Sequence, residues 1–282
     1  MKVNLAKILQ AADQAGVAVP AFNTPTFENL YAAIEVAEEL GLPVIVEHAQ
    51  VHESITPLRY IGPAMVALAE QARVPVCVHL DHGTSEDHIK AALDLGFSSV
   101  MFDGSSLPLE ENIERTRAVV ALARQYDAGV EAELGVMGGG GPESTDANPD
   151  FYTDPVVAQT FVQATNITAL AASFGTVHGF YASEPKLDYD RLAQLRDLTG
   201  VPIVMHGGSG LSQVEYETVI RHGVRKINYY SYAAKAAYDA CARRIQEQPA
   251  GALFDQLAVV ASEALKEDYR KIFEIFNLKL VK

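Results

Sequence analysis

The chain is poor in cysteine and in positive charge, and it has no long apolar run. Each shortage excludes something. Its two cysteines, Cys77 and Cys241, stand far apart in apolar or helical surroundings, so they offer no disulfide framework and read as reduced packing thiols. Lys and Arg number 22 against 36 Asp and Glu, a formal net charge of −14, which argues against a nucleic-acid partner, normally met by a basic patch. A small anionic substrate stays compatible, because a site can be locally positive inside an acidic protein. No run reaches the ~18 apolar residues of a membrane span. The opening MKVNLAKILQAADQAG has neither the apolar core nor the small-residue cleavage pattern of a signal peptide. A soluble, cytoplasmic protein is the expectation, and 282 residues at 49% hydrophobic content suffice for one large core.

What is present is an alternation. Apolar strands are expected over Val17–Phe22, Pro43–Glu47, Pro75–Leu80, Ser98–Phe102, Gly129–Leu134, Ala169–Phe174, Pro202–Met205 and Val224–Asn228. Between them lie helical patterns, with Ser85 as one N-cap and Gly16 and Gly41 as stops. A short helix, Asn4–Ala15, precedes the first strand, and helical stretches Ser231–Glu247 and Leu253–Phe276 follow the last. Continuous apolar strands separated by helices indicate a parallel sheet buried on both faces. Eight such units, without a glycine fingerprint at the first turn (AFNTPT), fit an α/β (β/α)8 TIM barrel forming a single domain with extra C-terminal helices. The rhythm breaks once, at Gly135–Asp154, where four consecutive glycines sit in a connection long enough to suggest function.

In such a barrel the active site lies where the strands end. Here those ends carry Asn23, Glu47-His48, Asp81-His82, Asp103, Glu131 and Glu133, His178, His206 and Asn228. His82, His178 and His206 are each followed at once by glycine. One histidine at a strand end is ordinarily a hydrogen-bonded structural residue, but three at the same end of a barrel can form a metal site with an open coordination position. His79, His88 and His222 read as strand-interior or helical residues. Strict alternation would set Asp81 and His82 on opposite faces of their strand, so both reach the site only if the backbone turns there. The stretch HGGSGLS after the seventh strand is a candidate phosphate cradle, with the helix beginning near Ser212 adding its positive end. Lys226 and Asn228 supply polar groups from the eighth strand.

The motifs PAFN (20–23), VHLDHG (78–83), SSVMFDGSSLPLEENI (98–113), VEAELG (130–135), FYTDP (151–155), GTVHGFY (175–181), HGGSGL (206–211) and KIN (226–228) occur in this order along nearly the whole chain. Together they resemble the class II, zinc-dependent aldolases of the fructose-bisphosphate and tagatose-bisphosphate type. The resemblance implies reversible retro-aldol cleavage of a ketose phosphate to dihydroxyacetone phosphate and an aldehyde. His82, His178 and His206 match the Zn2+ ligands, and Asp81 the acid/base at the C4 hydroxyl. Asn23, Gly179, Gly207, Gly208, Ser209, Asn228, Tyr229, Tyr230 and Ser231 match substrate contacts. A monovalent cation (Na+ or K+) beside the phosphate and a homodimer or homotetramer are further family expectations.

Three departures bear on the substrate. Asn228-Tyr229-Tyr230-Ser231 replaces the usual Asn-x-x-Thr and keeps its hydroxyl. The glycine loop reads GGGGPES and leaves Glu143 as the candidate catalytic residue at the carbon centre. The C-terminal region QEQPAGALFDQL lacks the arginine with which bisphosphate enzymes meet the second phosphate, so a ketose 1-phosphate contends with fructose or tagatose bisphosphate. Two other classes stand beside this reading. A zinc hydrolase of amidohydrolase type would want His-x-His after the first strand, and a non-catalytic sugar-phosphate sensor would not need Asp81.

Overall fold

The structure, a computed structural model, describes residues 1–135, 152–181, 183–249, 251 and 253–278. Its strands are β1 (Val19–Asn23), β2 (Val44–Ala49), β3 (Val76–Gly83), β4 (Ser99–Phe102), β5 (Gly129–Leu134), β6 (Ala169–Ala172), β7 (Ile203–Met205) and β8 (Val224–Tyr229). They pair in parallel and close in chain order, β8 returning to β1 through Val19 and Lys226, so the chain forms the expected (β/α)8 barrel. Helix α1 (Leu5–Ala15) comes first. The ring is made by α2 (Phe27–Leu40), α3 (Leu58–Gln71), α4 (Glu86–Asp94), α5 (Leu109–Arg124), α6 (Pro155–Thr165), α7 (Tyr189–Thr199) and α8 (Gln213–Arg221). Helices α9 (Ser231–Glu247) and α10 (Phe254–Phe276) complete it. Among the described residues no helix is long and apolar enough to cross a membrane.

Local chemistry sets the helix boundaries. Thr26, Ser85, Asp154, Asp188 and Ser212 each accept a hydrogen bond from a backbone N–H of the following first turn. Gly16, Gly41 and Gly200 close helices in the left-handed conformation. The differences from expectation lie at strand ends. Strands β2 and β3 run on to Ala49 and Gly83, β6 stops at Ala172, and the polar stretch after β2 forms a 3-10 turn, Gln50–Ser54.

Strand alternation divides the core in two. Outward residues such as Val46, Val78, Phe102 and Ile227 pack under the helices. Inward residues Val19, Ala21, Ile45, Cys77, Met101, Ala169 and Val204 meet Leu5, Ile8, Leu9 and Ala12, so α1 plugs the N-terminal mouth of the barrel. Above that apolar plug lies a charged layer. Lys226 Nζ is 2.6 Å from Glu47 Oε1 and 2.9 Å from Glu131 Oε2, all three side chains fully buried. His79 joins them, its Nε2 3.6 Å from Glu131 and its Nδ1 2.7 Å from Ser99 Oγ. Lys226 is thus the floor of the open end and does not reach the glycine-rich turn.

Burial opposes the charge on Lys226, but the Glu131 and Glu47 carboxyls more than offset it and keep the amine protonated. Removing that cation leaves buried acid without a partner, which costs about 3–5 kcal/mol. Lys226→Met is therefore expected to lower the unfolding free energy by about that amount in urea denaturation. A loss below about 1 kcal/mol would show that the layer does not depend on the ion pair.

Candidate active site

The strand ends surround a cavity of ≈ 600 Å³. At its centre is Asp81, on β3 and buried. Its Oδ2 accepts from Asn23 Nδ2 at 2.9 Å, and its Oδ1 accepts from Asn228 Nδ2 at 3.2 Å. Burial pushes the Asp81 carboxyl up, but the neighbouring His82, His206 and Lys226 side chains override it and hold the group well below the usual carboxylate range. Asp81 is an anion fixed by two amides from opposite ends of the chain.

The neighbour His82 resolves the alternation problem. Its φ of 46° is in the left-handed region, and the β3–β4 register shifts between Leu80 and Gly83. The bulge turns His82 back toward the face that Asp81 already occupies. Its Nδ1 is 2.8 Å from Asp103 Oδ2, while Asp103 Oδ1 accepts from the backbone N–H and hydroxyl of Ser105. His206, after β7, is fully buried, with Nε2 2.8 Å from Glu131 Oε1. The free faces of the two rings meet, His82 Nε2 lying 3.1 Å from His206 Nδ1. His178, after β6, completes the group with ring centroids 5.1 Å from His82 and 5.8 Å from His206. One ligand nitrogen from each imidazole falls within 4.8 Å of the others. Two imidazoles held on their far nitrogens by carboxylates, with near nitrogens converging, form a donor set suited to a metal ion.

Glu133 stands beside this group, its Oε2 3.6 Å from His206 Nδ1 and 4.0 Å from His82 Nδ1. Burial, reinforced by Asp103, pushes its carboxyl up to about 8. Glu131 and Glu133 both face inward from β5, and their roles split by depth. Glu131 braces His206 from below, while Glu133 lines the cavity.

The β6–β8 side of the rim carries Gly179, Gly207, Gly208, Ser209, Tyr230 and Ser231. Gly207 adopts φ 61°, and a Cβ there would collide with the Val177 carbonyl, so the approach of backbone to cavity requires glycine. Its carbonyl accepts from Tyr181 Oη at 2.8 Å. The N-terminus facing the cavity belongs to α9 rather than α8. Ser212 and Glu215 form a capping box that satisfies α8, whereas α9 begins at the cavity-lining Ser231 and has no side-chain cap. Tyr229 differs from its sequence-based reading as a substrate contact. Its side chain leaves the barrel on the opposite face, joins the outer core and packs edge-on against Phe22. Glu143 lies outside the described residues.

The sequence reading did not assign Val51, Thr84 and Ser105, which also line the cavity, or Glu131's hold on His206. The i, i+2 pair Glu131/Glu133 on one inward face was the available signal for the latter. His52 lines the cavity too, its ring 5.1 Å from that of Tyr230.

Comparison with known proteins agrees with this architecture. The family model described as fructose-bisphosphate aldolase class-II matches residues 3–279. The crystal structure of the YdjI aldolase from Escherichia coli K12 superposes with TM-score 0.87 at 33% identity, over 98% of this chain and 97% of that one. A structure of a putative fructose-1,6-bisphosphate aldolase from Coccidioides immitis gives 0.85 at 28% identity, over 97% and 96%. A fructose-bisphosphate aldolase from Campylobacter jejuni shares the fold, with TM-score 0.81 at 22% identity over 98% and 95%. By the extent of the family match and the identity to a solved aldolase, the chain is an aldolase of the class II fructose-bisphosphate aldolase family.

Proposed function

We propose that the protein is a zinc-dependent aldolase that cleaves a ketose 1-phosphate to dihydroxyacetone phosphate and an aldehyde, and runs the reverse condensation. The observation that carries this reading is an ionised Asp81 set beside three converging imidazoles at the mouth of one cavity. His82, His178 and His206 hold the metal, whose contribution when bound is Lewis-acid polarisation of the substrate's C2 carbonyl. Asp81 takes the proton of the C4 hydroxyl as the C3–C4 bond breaks. The C4 oxygen becomes the aldehyde carbonyl, and the bonding pair passes to the dihydroxyacetone phosphate half. Asn23 and Asn228 each occupy one Asp81 oxygen, which fixes the carboxylate and leaves further lone pairs for the proton. Proton delivery at C3 is assigned to Glu143.

The phosphate binds at Gly179, Gly207, Gly208, Ser209 and Ser231, where backbone N–H groups and the start of α9 favour an anion; Asn228, Tyr230 and the backbone of Tyr229 border it. A Na+ or K+ ion beside this phosphate belongs to the same reading, as does a cytoplasmic homodimer or homotetramer. Support for a single phosphate comes from the rest of the lining. Val51, His52, Thr84 and Ser105 stand on the β2–β4 side, and no lysine or arginine lines the cavity among the described residues.

Asp81→Ala is expected to retain its metal by elemental analysis while losing at least ~100-fold in kcat, the ordinary range of general acid–base catalysis; near-native turnover would remove Asp81 from the mechanism. Chelator treatment should abolish cleavage and added Zn2+ should restore it, and borohydride should trap no adduct with substrate, whereas the opposite pattern would indicate a Schiff-base lysine. In parallel assays, ketose 1-phosphates should show higher kcat/KM than fructose 1,6-bisphosphate. A strong preference for the bisphosphate would overturn the single-phosphate assignment.

A further inference from the structure

Beside the cavity, on the outer face of the barrel, a second set of metal-binding side chains comes together. Alternation along β2 sends Glu47 inward to Lys226 and His48 outward, away from the cavity. There His48 meets Glu53 from the 3-10 turn and His88 from the first turn of α4. His48 Nε2 is 3.6 Å from Glu53 Oε1, and His88 Nε2 is 3.7 Å from the same oxygen. One ligand atom from each of the three lies within 4.8 Å of the others.

These separations exceed ordinary hydrogen bonds. They are close to the spacing of ligands around a shared ion, since donors about 2.0–2.1 Å from zinc in a tetrahedron stand about 3.3–3.4 Å apart. The polar accounting agrees. His48 is fully buried, yet neither of its ring nitrogens has a hydrogen-bond partner among the described residues, and His88 Nε2 is likewise buried without one. Glu53 is itself fixed, its Oε1 accepting from the Leu58 backbone N–H at 2.7 Å.

We propose that His48, Glu53 and His88 form a second, structural site for a divalent transition metal of the zinc type, distinct from the three-histidine group in the cavity. Two imidazoles and one carboxylate suit such an ion. Glu53 and His88 are part-exposed, so water can fill the fourth position. The site ties the 3-10 turn to the start of α4. The same turn carries Val51 and His52, which line the cavity, and Gln50, whose side-chain oxygen accepts from the Thr84 backbone N–H at 2.9 Å. A bound ion there would hold the substrate-facing edge of the cavity from behind.

The test is zinc content of the full chain after saturation with Zn2+ and exhaustive dialysis, read by elemental analysis with folding checked by circular dichroism. The wild type should hold two ions per chain. His88→Ala and, as a milder change, Glu53→Gln should hold one. His178→Ala, which leaves the proposed site intact, should also keep one, and its Co2+ form should show visible d–d absorption that is lost in His178→Ala/His88→Ala. Folded His88→Ala and Glu53→Gln variants with the same zinc content as the wild type would overturn the proposal. So would a His178→Ala protein that binds neither Zn2+ nor Co2+.

Discussion

One buried positive charge organises the open end of this barrel. Lys226 lies at the centre of a protein whose net charge is −14, with two carboxylates against its amine and no solvent. A single cation fully supports only one of them. Burial drives Glu47 up to about 8 despite Lys226 beside it, whereas Glu131 is held well below its usual value: burial raises it, but Lys226 and the His206 hydrogen bond lower it further. Of the two, Glu131 is the one held as an anion. That anion is also the hydrogen-bond partner of His206. The positioning of His206 thus depends on a lysine beyond its own hydrogen-bond partner, and the field of the same lysine helps keep Asp81 ionised.

The remaining imidazoles are held differently. His82 relies on backbone geometry, since a non-glycine residue in the left-handed region costs of order 1–3 kcal/mol and persists only where its surroundings enforce it. They do so here from both sides. Gly83 returns to the sheet opposite Phe102, the Asp103 backbone N–H donates to the Gly83 carbonyl at 2.9 Å, and the Asp103 side chain grips the ring. That bulge is what allows two consecutive residues, an acid and a histidine, to serve one cavity. A regular strand would have buried His82 under α4 with Leu80.

Why the sequence disclosed some of this and not the rest follows from the range of each interaction. The barrel was legible because strand and helix periods, the cap at Ser85 and the glycine stops are local patterns. The inward set Asn23, Asp81, His206 and Asn228 was legible because barrel topology puts all strand ends at one mouth. The geometry of His82 was not, because the bulge depends on register between β3 and β4. Nor was the inward plunge of Lys226, which reads in sequence simply as a polar group on the eighth strand and is fixed by Glu47 and Glu131 from distant strands. Tyr229 shows the limit of transferring a motif position by position. In Asn228-Tyr229-Tyr230-Ser231, alternation gives the cavity residues 228 and 230 and sends 229 to the helices.

The two sides of the cavity are built from different materials, and this bears on what can vary. On the β6–β8 side the lining is backbone, and Gly207 cannot gain a side chain without striking Val177. Such a surface recognises an anion through N–H groups whatever else the ligand carries. On the β2–β4 side the lining is side chains, Val51 and His52 on a short 3-10 turn and Thr84 behind the bulge. Those can be exchanged without disturbing the barrel, because Glu47 and His79 beneath them carry the structural load. A fold built this way keeps the anion-favouring side of the cavity constant and leaves the other side open to selection. In this chain that open half presents the His52 imidazole, the Thr84 and Ser105 hydroxyls and the aliphatic Val51.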